Sequence, residues 1–129
     1  MPVNLDAISD VTVLALGKAL QGTTQQQQAH AANLANAETP GYRAQRVSFE
    51  EDLRQALAAP PERQAAALEA LRPQVTVSPD APLRRDGNNV DLEGELLAIS
   101  EAGLRYRVVA RLLGKKNQMI RQALGGSAQ

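Results

Sequence analysis

The chain has 129 residues, fourteen Lys and Arg against fourteen Asp and Glu, 43% hydrophobic residues, 2% aromatics and no cysteine. That length suits one modest domain and excludes a multi-domain enzyme, while the lack of cysteine excludes disulfides and thiolate metal sites. Zero net charge gives no general drive toward nucleic acid or an anionic membrane.

No basic stretch precedes the apolar residues of Met1 to Asp10, and Asp10 and Lys18 interrupt Ala7 to Leu20. Neither a cleavable signal nor a membrane span is therefore expected. From about Leu5 to Asn36 only Gly17 and Gly22 weaken a helix, and its first half places Leu5, Ile8, Val11, Val13, Leu14, Leu16 and Leu20 almost all around the cylinder. A helix of that kind must be covered from several sides. Thr39-Pro40-Gly41-Tyr42 ends it, because the residue before proline is pushed out of the α region and Pro-Gly suits the centre of a type II turn.

The middle segment, 39–88, is loop-rich, punctuated by Pro60, Pro61, Pro73, Pro79 and Pro82. It offers an amphipathic piece from Phe49 to Leu57, a second helix from Pro61 to Leu71, and a short strand at Val75-Thr76-Val77. Asp86-Gly87-Asn88-Asn89 is a turn cluster that can also cap a helix. A long helix is expected over 89–125, with a tail at 126–129.

In that last helix Leu92, Ile99, Tyr106, Leu113 and Ile120 occupy d positions, and Leu96, Gly103, Ala110, Asn117 and Leu124 occupy a positions. The 3-4 alternation reads as a coiled-coil seam. A second stripe, Leu97, Leu104, Val108, Leu112 and Met119, runs along another face, and one partner helix cannot cover both. The expected fold class is all-α, with long N- and C-terminal helices paired as an axial coiled-coil hairpin around a short loop-rich middle. One stripe then stays open as an interaction surface. The candidate subunit interface comprises the seam together with Leu104, Val108 and Leu112, and with Ile8, Val11 and Leu14 of the first helix.

Residues 1–101 hold eight basic and fourteen acidic groups, and the remainder six basic and none acidic. Asp91, Glu93 and Glu95 near the start of the last helix and Lys115, Lys116 and Arg121 near its end complement the helix dipole. A sharper reading sets the cationic end of one subunit against the acidic region of the next. Catalytic, cofactor and metal residues are not expected. His30 is the sole histidine and has no carboxylate three or four residues away, and Asp86, Asp91, Glu93 and Glu95 read as solvated, helix-starting groups. No phosphate-binding loop, HExxH or GxSxG occurs.

The run Ala32-Asn33-Leu34-Ala35-Asn36-Ala37-Glu38-Thr39-Pro40-Gly41-Tyr42 resembles the N-terminal signature of bacterial flagellar rod and hook proteins, in which a long helix ends in an ANxAN…TPGY turn. Asp86-Gly87-Asn88-Asn89-Val90-Asp91-Leu92-Glu93, continuing to Ala123, resembles the C-terminal region of the proximal rod members of that family. Gly94 departs from the pattern, since relatives usually carry a better helix former there. Phe49 and Leu53 are similar to the F-x-x-x-aliphatic element by which early rod and hook substrates engage the flagellar export gate, and an ordinary amphipathic turn would place them equally well.

The resemblance implies a structural subunit of the proximal rod of the basal body, with terminal helices paired as an axial domain and subunits assembled helically. It further implies export by the flagellar type III apparatus without a cleaved signal, and a periplasmic location. The implied partners are other copies, other rod proteins, the rod-to-membrane-ring adaptor and the export gate, with no nucleic acid and no membrane insertion. An alternative from the residues alone is a cytoplasmic helical adaptor or export chaperone that holds a partner helix on the open stripe.

Overall fold

The computed structural model describes residues 5–79 and 83–125, with side chains from residue 10 onward. Its elements are α1 (Leu5–Ala35), β1 (Gln45–Ser48), α2 (Glu50–Ala58), α3 (Pro61–Ala70), β2 (Gln74–Val77) and α4 (Leu92–Gly125). At 31 and 34 residues, α1 and α4 are each about 50 Å long.

α1 stops at Ala35, a turn before the proline, and the chain then tightens through Asn36, Ala37 and Thr39, whose amides donate to carbonyls three or four residues back. The expected type II turn follows, with Tyr42 N donating to Thr39 O at 3.2 Å and Gly41 at φ 74°. α2 opens with Glu50, Glu51 and Asp52, which suit the positive end of the helix dipole. Pro60 lies outside both middle helices, and Pro61 opens α3 in the first turn, where proline is tolerated.

The all-α expectation needs one correction. β1 and β2 pair antiparallel, with Val47 opposite Val75 and Gln45 opposite Val77. β2 coincides with the anticipated strand, whereas β1 was not foreseen. Its sequence, Gln-Arg-Val-Ser, carries one apolar residue, Val47, which is buried. A strand so weak in pattern depends on its partner, and that partner lies near residue 76.

The main core lies where α2 and α3 fold against α1. Phe49, Ala56, Leu68 and Leu71 are buried there against Val11, Leu14, Ala15, Ala19 and Leu53. Lys18 Nζ donates to the carbonyls of Glu69 and Leu71 at 3.3 and 3.1 Å, satisfying the C-terminal end of α3. Gly22 sits flush under Phe49, since a Cβ there would lie 2.4 Å from the ring. Gly22→Ala is therefore expected to destabilise the chain by about 1–3 kcal/mol through overpacking. Gly17→Ala, with nothing within 4 Å, should instead gain up to ~1 kcal/mol in helix propensity. Urea denaturation of the two variants checks both signs.

α4 lies antiparallel along α1, with Glu95 beside His30, Gly103 beside Gln27, and Val108 and Val109 level with Ala19 and Thr23. Neither stripe as a whole forms its covered face. The d residues Ile99, Leu113 and Ile120 turn inward, and Gly103 and Ala110 are half-buried, but Leu92, Leu96, Tyr106, Asn117 and Leu124 are exposed. The covered row instead runs through Glu95, Ile99, Ala102, Val109, Leu113, Lys116 and Ile120. It keeps the heptad spacing, with the a positions Leu96, Gly103, Ala110 and Asn117 each moved back by one residue. Glu95 is the physical reason, because ion partners on other elements draw it inward, and an apolar pattern cannot reveal a buried charge.

Candidate functional site

The chain's two signature segments meet where α1 ends and α4 begins, and four asparagines join them. Asn33, fully buried, uses its whole amide. Oδ1 accepts from Tyr42 Oη at 3.0 Å and from Gln45 N at 2.8 Å, and Nδ2 donates to Gln45 O at 2.8 Å. The last turn of α1 is thereby tied to β1. Asn36 braces the same corner, with Nδ2 on Ala32 O and Oδ1 accepting from Thr39 Oγ1.

Asn88 and Asn89 make the long-range half of the junction. Asn88 Nδ2 donates to Asn36 O at 2.8 Å and Thr39 O at 2.9 Å, and its Oδ1 accepts from Val90 N at 2.8 Å. Asn89 Oδ1 accepts from Ala44 N at 2.6 Å, and Nδ2 donates to Ser78 O at 2.8 Å. Helix ends leave carbonyls that need partners, and here the approach to α4 supplies those partners to the end of α1. Arg84 Nη2 adds a bond to Ala37 O, and Gly41 N donates to Asp86 O at 2.8 Å. Gly41 and Gly87 both have positive φ, 74° and 82°. A Cβ on Gly87 would stand 3.4 Å from Gly41 Cα, so the two turns meet backbone to backbone.

Beside this junction lies a buried charge. Glu95, 1% exposed, places Oε2 2.6 Å from His30 Nδ1 and Oε1 2.6 Å from Arg46 Nη1. Burial by itself raises the Glu95 carboxyl, but hydrogen bonds from Arg46, His30 and Asn33 outweigh it and hold the group below its ordinary value. Burial and the Glu95 charge push the Tyr42 hydroxyl up, which keeps it a donor to Asn33. The expectation of a solvated Glu95 is thus corrected, and His30, which has no carboxylate at helical spacing, finds one on another helix. His30 and Glu95 are 65 residues apart, and Arg46 and Glu95 are 49 apart. The available signal was Glu95 standing seven residues before Ala102 and fourteen before Val109, a charge in register with an apolar row.

α4 begins at Leu92 rather than 89, because Asn88, Asn89 and Val90 are engaged in the junction. A Cβ on Gly94 would lie 2.7 Å from the exposed Asp91 carboxylate, which can swing aside. Among the other expected site residues, Leu34 is half-buried, and Ala35, Thr39 and Pro40 are exposed at the turn. Val11 and Leu14 pack on the α2–α3 core, and the side chain of Ile8 lies outside the described residues. Leu104, Val108 and Leu112 are exposed, as are Leu97 and Met119. Phe49 is 5% exposed and Leu53 packs beside it, so neither presents a full face to a partner in the folded chain. Among the described residues no three acidic or histidine side chains converge as a metal site, and no helix is long and apolar enough to cross a membrane.

The family model described as flagella basal body rod protein matches residues 14–43, a span that holds the second half of α1 and the Thr39–Tyr42 turn. The flagellar basal body rod protein FlgB of Salmonella typhimurium (strain LT2) is 30% identical over 124 residues, covering 84% of this chain and 89% of the relative. The protein of the same name from Bacillus subtilis (strain 168) is 28% identical over 130 residues, covering 89% of this chain and 95% of the relative. The chain belongs to the FlgB family of flagellar basal body rod proteins, and is a structural protein rather than an enzyme.

Proposed function

We propose that this flagellar basal body rod protein builds the proximal, periplasmic part of the rod, leaves the cytoplasm through the flagellar type III apparatus without a cleaved signal, and assembles helically into the torque-carrying shaft. Segments 1–38 and 89–125 serve as the axial part, paired as a coiled coil, and 39–88 as the middle. The observation that carries this reading is the outer face of α4, where Leu97, Leu104, Val108, Leu112 and Met119 stay about half exposed or more over most of the helix. Fully burying such a side chain contributes roughly 1.5–3 kcal/mol, so contact with neighbours along this face supplies stability that the lone chain lacks. The remaining seam residues exposed on α4, Leu92, Leu96, Tyr106, Asn117 and Leu124, are further subunit contacts in this proposal.

The rod-to-membrane-ring adaptor and the export gate are the proposed partners beyond other rod proteins. Because Phe49 is buried in the folded chain, a gate contact through Phe49 and Leu53 requires an open chain, as passage through a narrow channel does.

Mass spectrometry of purified hook and basal-body particles, from normal cells and from a strain lacking this gene, tests the assignment. The chain should be present in intact particles, and rods should be missing from the deletion strain. Recovery only from the cytosol, with rods still formed, would overturn it. Gly41→Val supplies a finer check, since a β-branched residue at φ 74° costs at least about 1–2 kcal/mol and tilts the turn between α1 and β1. The variant should still be exported while failing to enter particles, and normal motility would sink the claim.

A further inference from the structure

The exposed face of α4 changes sign halfway along the helix. At spacings of three and four residues, which keep side chains on one side of a helix, Glu93, Leu97, Glu101 and Leu104 pass into Val108, Arg111, Leu112, Lys115 and Met119, all of them exposed. Up to residue 101 the helix holds three glutamates and no basic residue, and from 102 onward the chain has six basic residues and no acid. The apolar side chains are shared between the two halves, with Leu97 and Leu104 in one and Leu112 and Met119 in the other, each more than half exposed.

The helix dipole accounts for charges in the first and last turns, but Glu101 and Lys115 both stand more than two turns inside Leu92–Gly125. Neither has an ion partner among the described residues. They lie about 21 Å apart along the axis and cannot meet within one helix. Each matches the other on a second copy.

We infer that in the assembled protein the basic half of this face lies along the acidic half of the same face on a second copy, with the two α4 helices parallel and displaced by about fifteen residues, roughly 22 Å. Leu112 and Met119 of one copy then stand level with Leu97 and Leu104 of the next, and Lys115 settles against Glu101. Parallel packing without displacement is opposed by sign, since it sets Lys115 against Lys115 and Glu101 against Glu101. An antiparallel pair would match the signs, but it engages both halves of both faces at once and closes as a two-fold dimer. The displaced parallel contact leaves one half free on each copy and so repeats without closing. The inference rests on the rod reading, and adds which faces meet and in what register.

The absence of cysteine leaves a clean background for the test. A Leu97→Cys/Leu112→Cys double variant is expressed in the deletion strain, and isolated basal bodies are oxidised. A disulfide needs Cα atoms within about 7 Å, so the double variant should give a ladder of dimers and higher multimers and each single variant monomer alone. Dimer without higher species, or dimer from a Val108→Cys single variant, would mean the closed antiparallel pair and overturn the inference. So would particles that contain the chain and give no cross-link, which would leave the rod assignment standing. Absence of the chain from wild-type particles overturns both.

Should the cysteine variant fail to enter particles, charge reversal decides. Glu101→Lys and Lys115→Glu should each lower the swimming rate roughly tenfold, and their combination should restore it. Single variants that swim normally, or losses that simply accumulate in the double variant, would overturn the pairing.

Discussion

Asn88→Ala is expected to lower the unfolding free energy by about 3–5 kcal/mol, a large share of the ~5–15 kcal/mol typical of a domain. The side chain is fully buried, and its truncation strips partners from the carbonyls of Asn36 and Thr39 and from the amide of Val90. Each buried polar group left without a partner costs about 1–3 kcal/mol, and water entering the vacated space returns part of the total. Asn88→Asp is nearly isosteric and should be at least as damaging, because it removes both donors and sets a carboxyl group against two carbonyl oxygens. Urea titrations followed by circular dichroism would report a lower midpoint with an unchanged slope. A loss below ~1 kcal/mol for either variant would mean that the junction is held by something other than Asn88.

Glu95→Ala is the second large effect, expected at about 2–4 kcal/mol. Truncating one member of a buried charge pair costs about 3–5 kcal/mol when its partner is trapped. Here Arg46 is 44% exposed and can turn to water, which places the expectation toward the lower end. Glu95→Leu should recover part of the loss, since it refills the volume between Ile99 and Ala102 without a charge. The same network predicts a pH dependence. The folded carboxyl lies below its ordinary value, so the unfolded chain takes up the proton first. The stabilisation is complete above the unfolded value of about 4.3 and is lost as the pH falls through the lower folded value. Glu50 and Glu51 are lowered as well, so acid destabilisation persists in Glu95→Gln, with a shallower slope below pH ~4.3 than in the wild type. Identical slopes would show that the Glu95 charge does not stabilise the fold.

Both residues were visible in the sequence, Asn88 with half of its role and Glu95 with the wrong one. Asn88 stood in a turn cluster, and the turn is real, but its amide also closes the far end of α1 across about fifty positions. Glu95 stood in a helix-starting acidic run, where a solvated carboxylate is the ordinary outcome. The β1 strand escaped notice for a related reason, since one buried valine among polar residues states no preference until Val75 lies opposite it.

By itself the sequence determined the long terminal helices, the Pro-Gly turn, α2 and α3, the family signature and the presence of more apolar helix surface than one chain can cover. Those features depend on proline, glycine and side-chain periodicity, whose physics acts within one or two helical turns. Only the tertiary structure decided which stripe of α4 meets α1, that Glu95 is buried between His30 and Arg46, and that four asparagines lock the end of one helix to the start of the other. Those choices join groups 49 and 65 residues apart, and what settles them is the cost of leaving a charge or a backbone carbonyl buried without a partner. That cost arises only once the chain has folded around them.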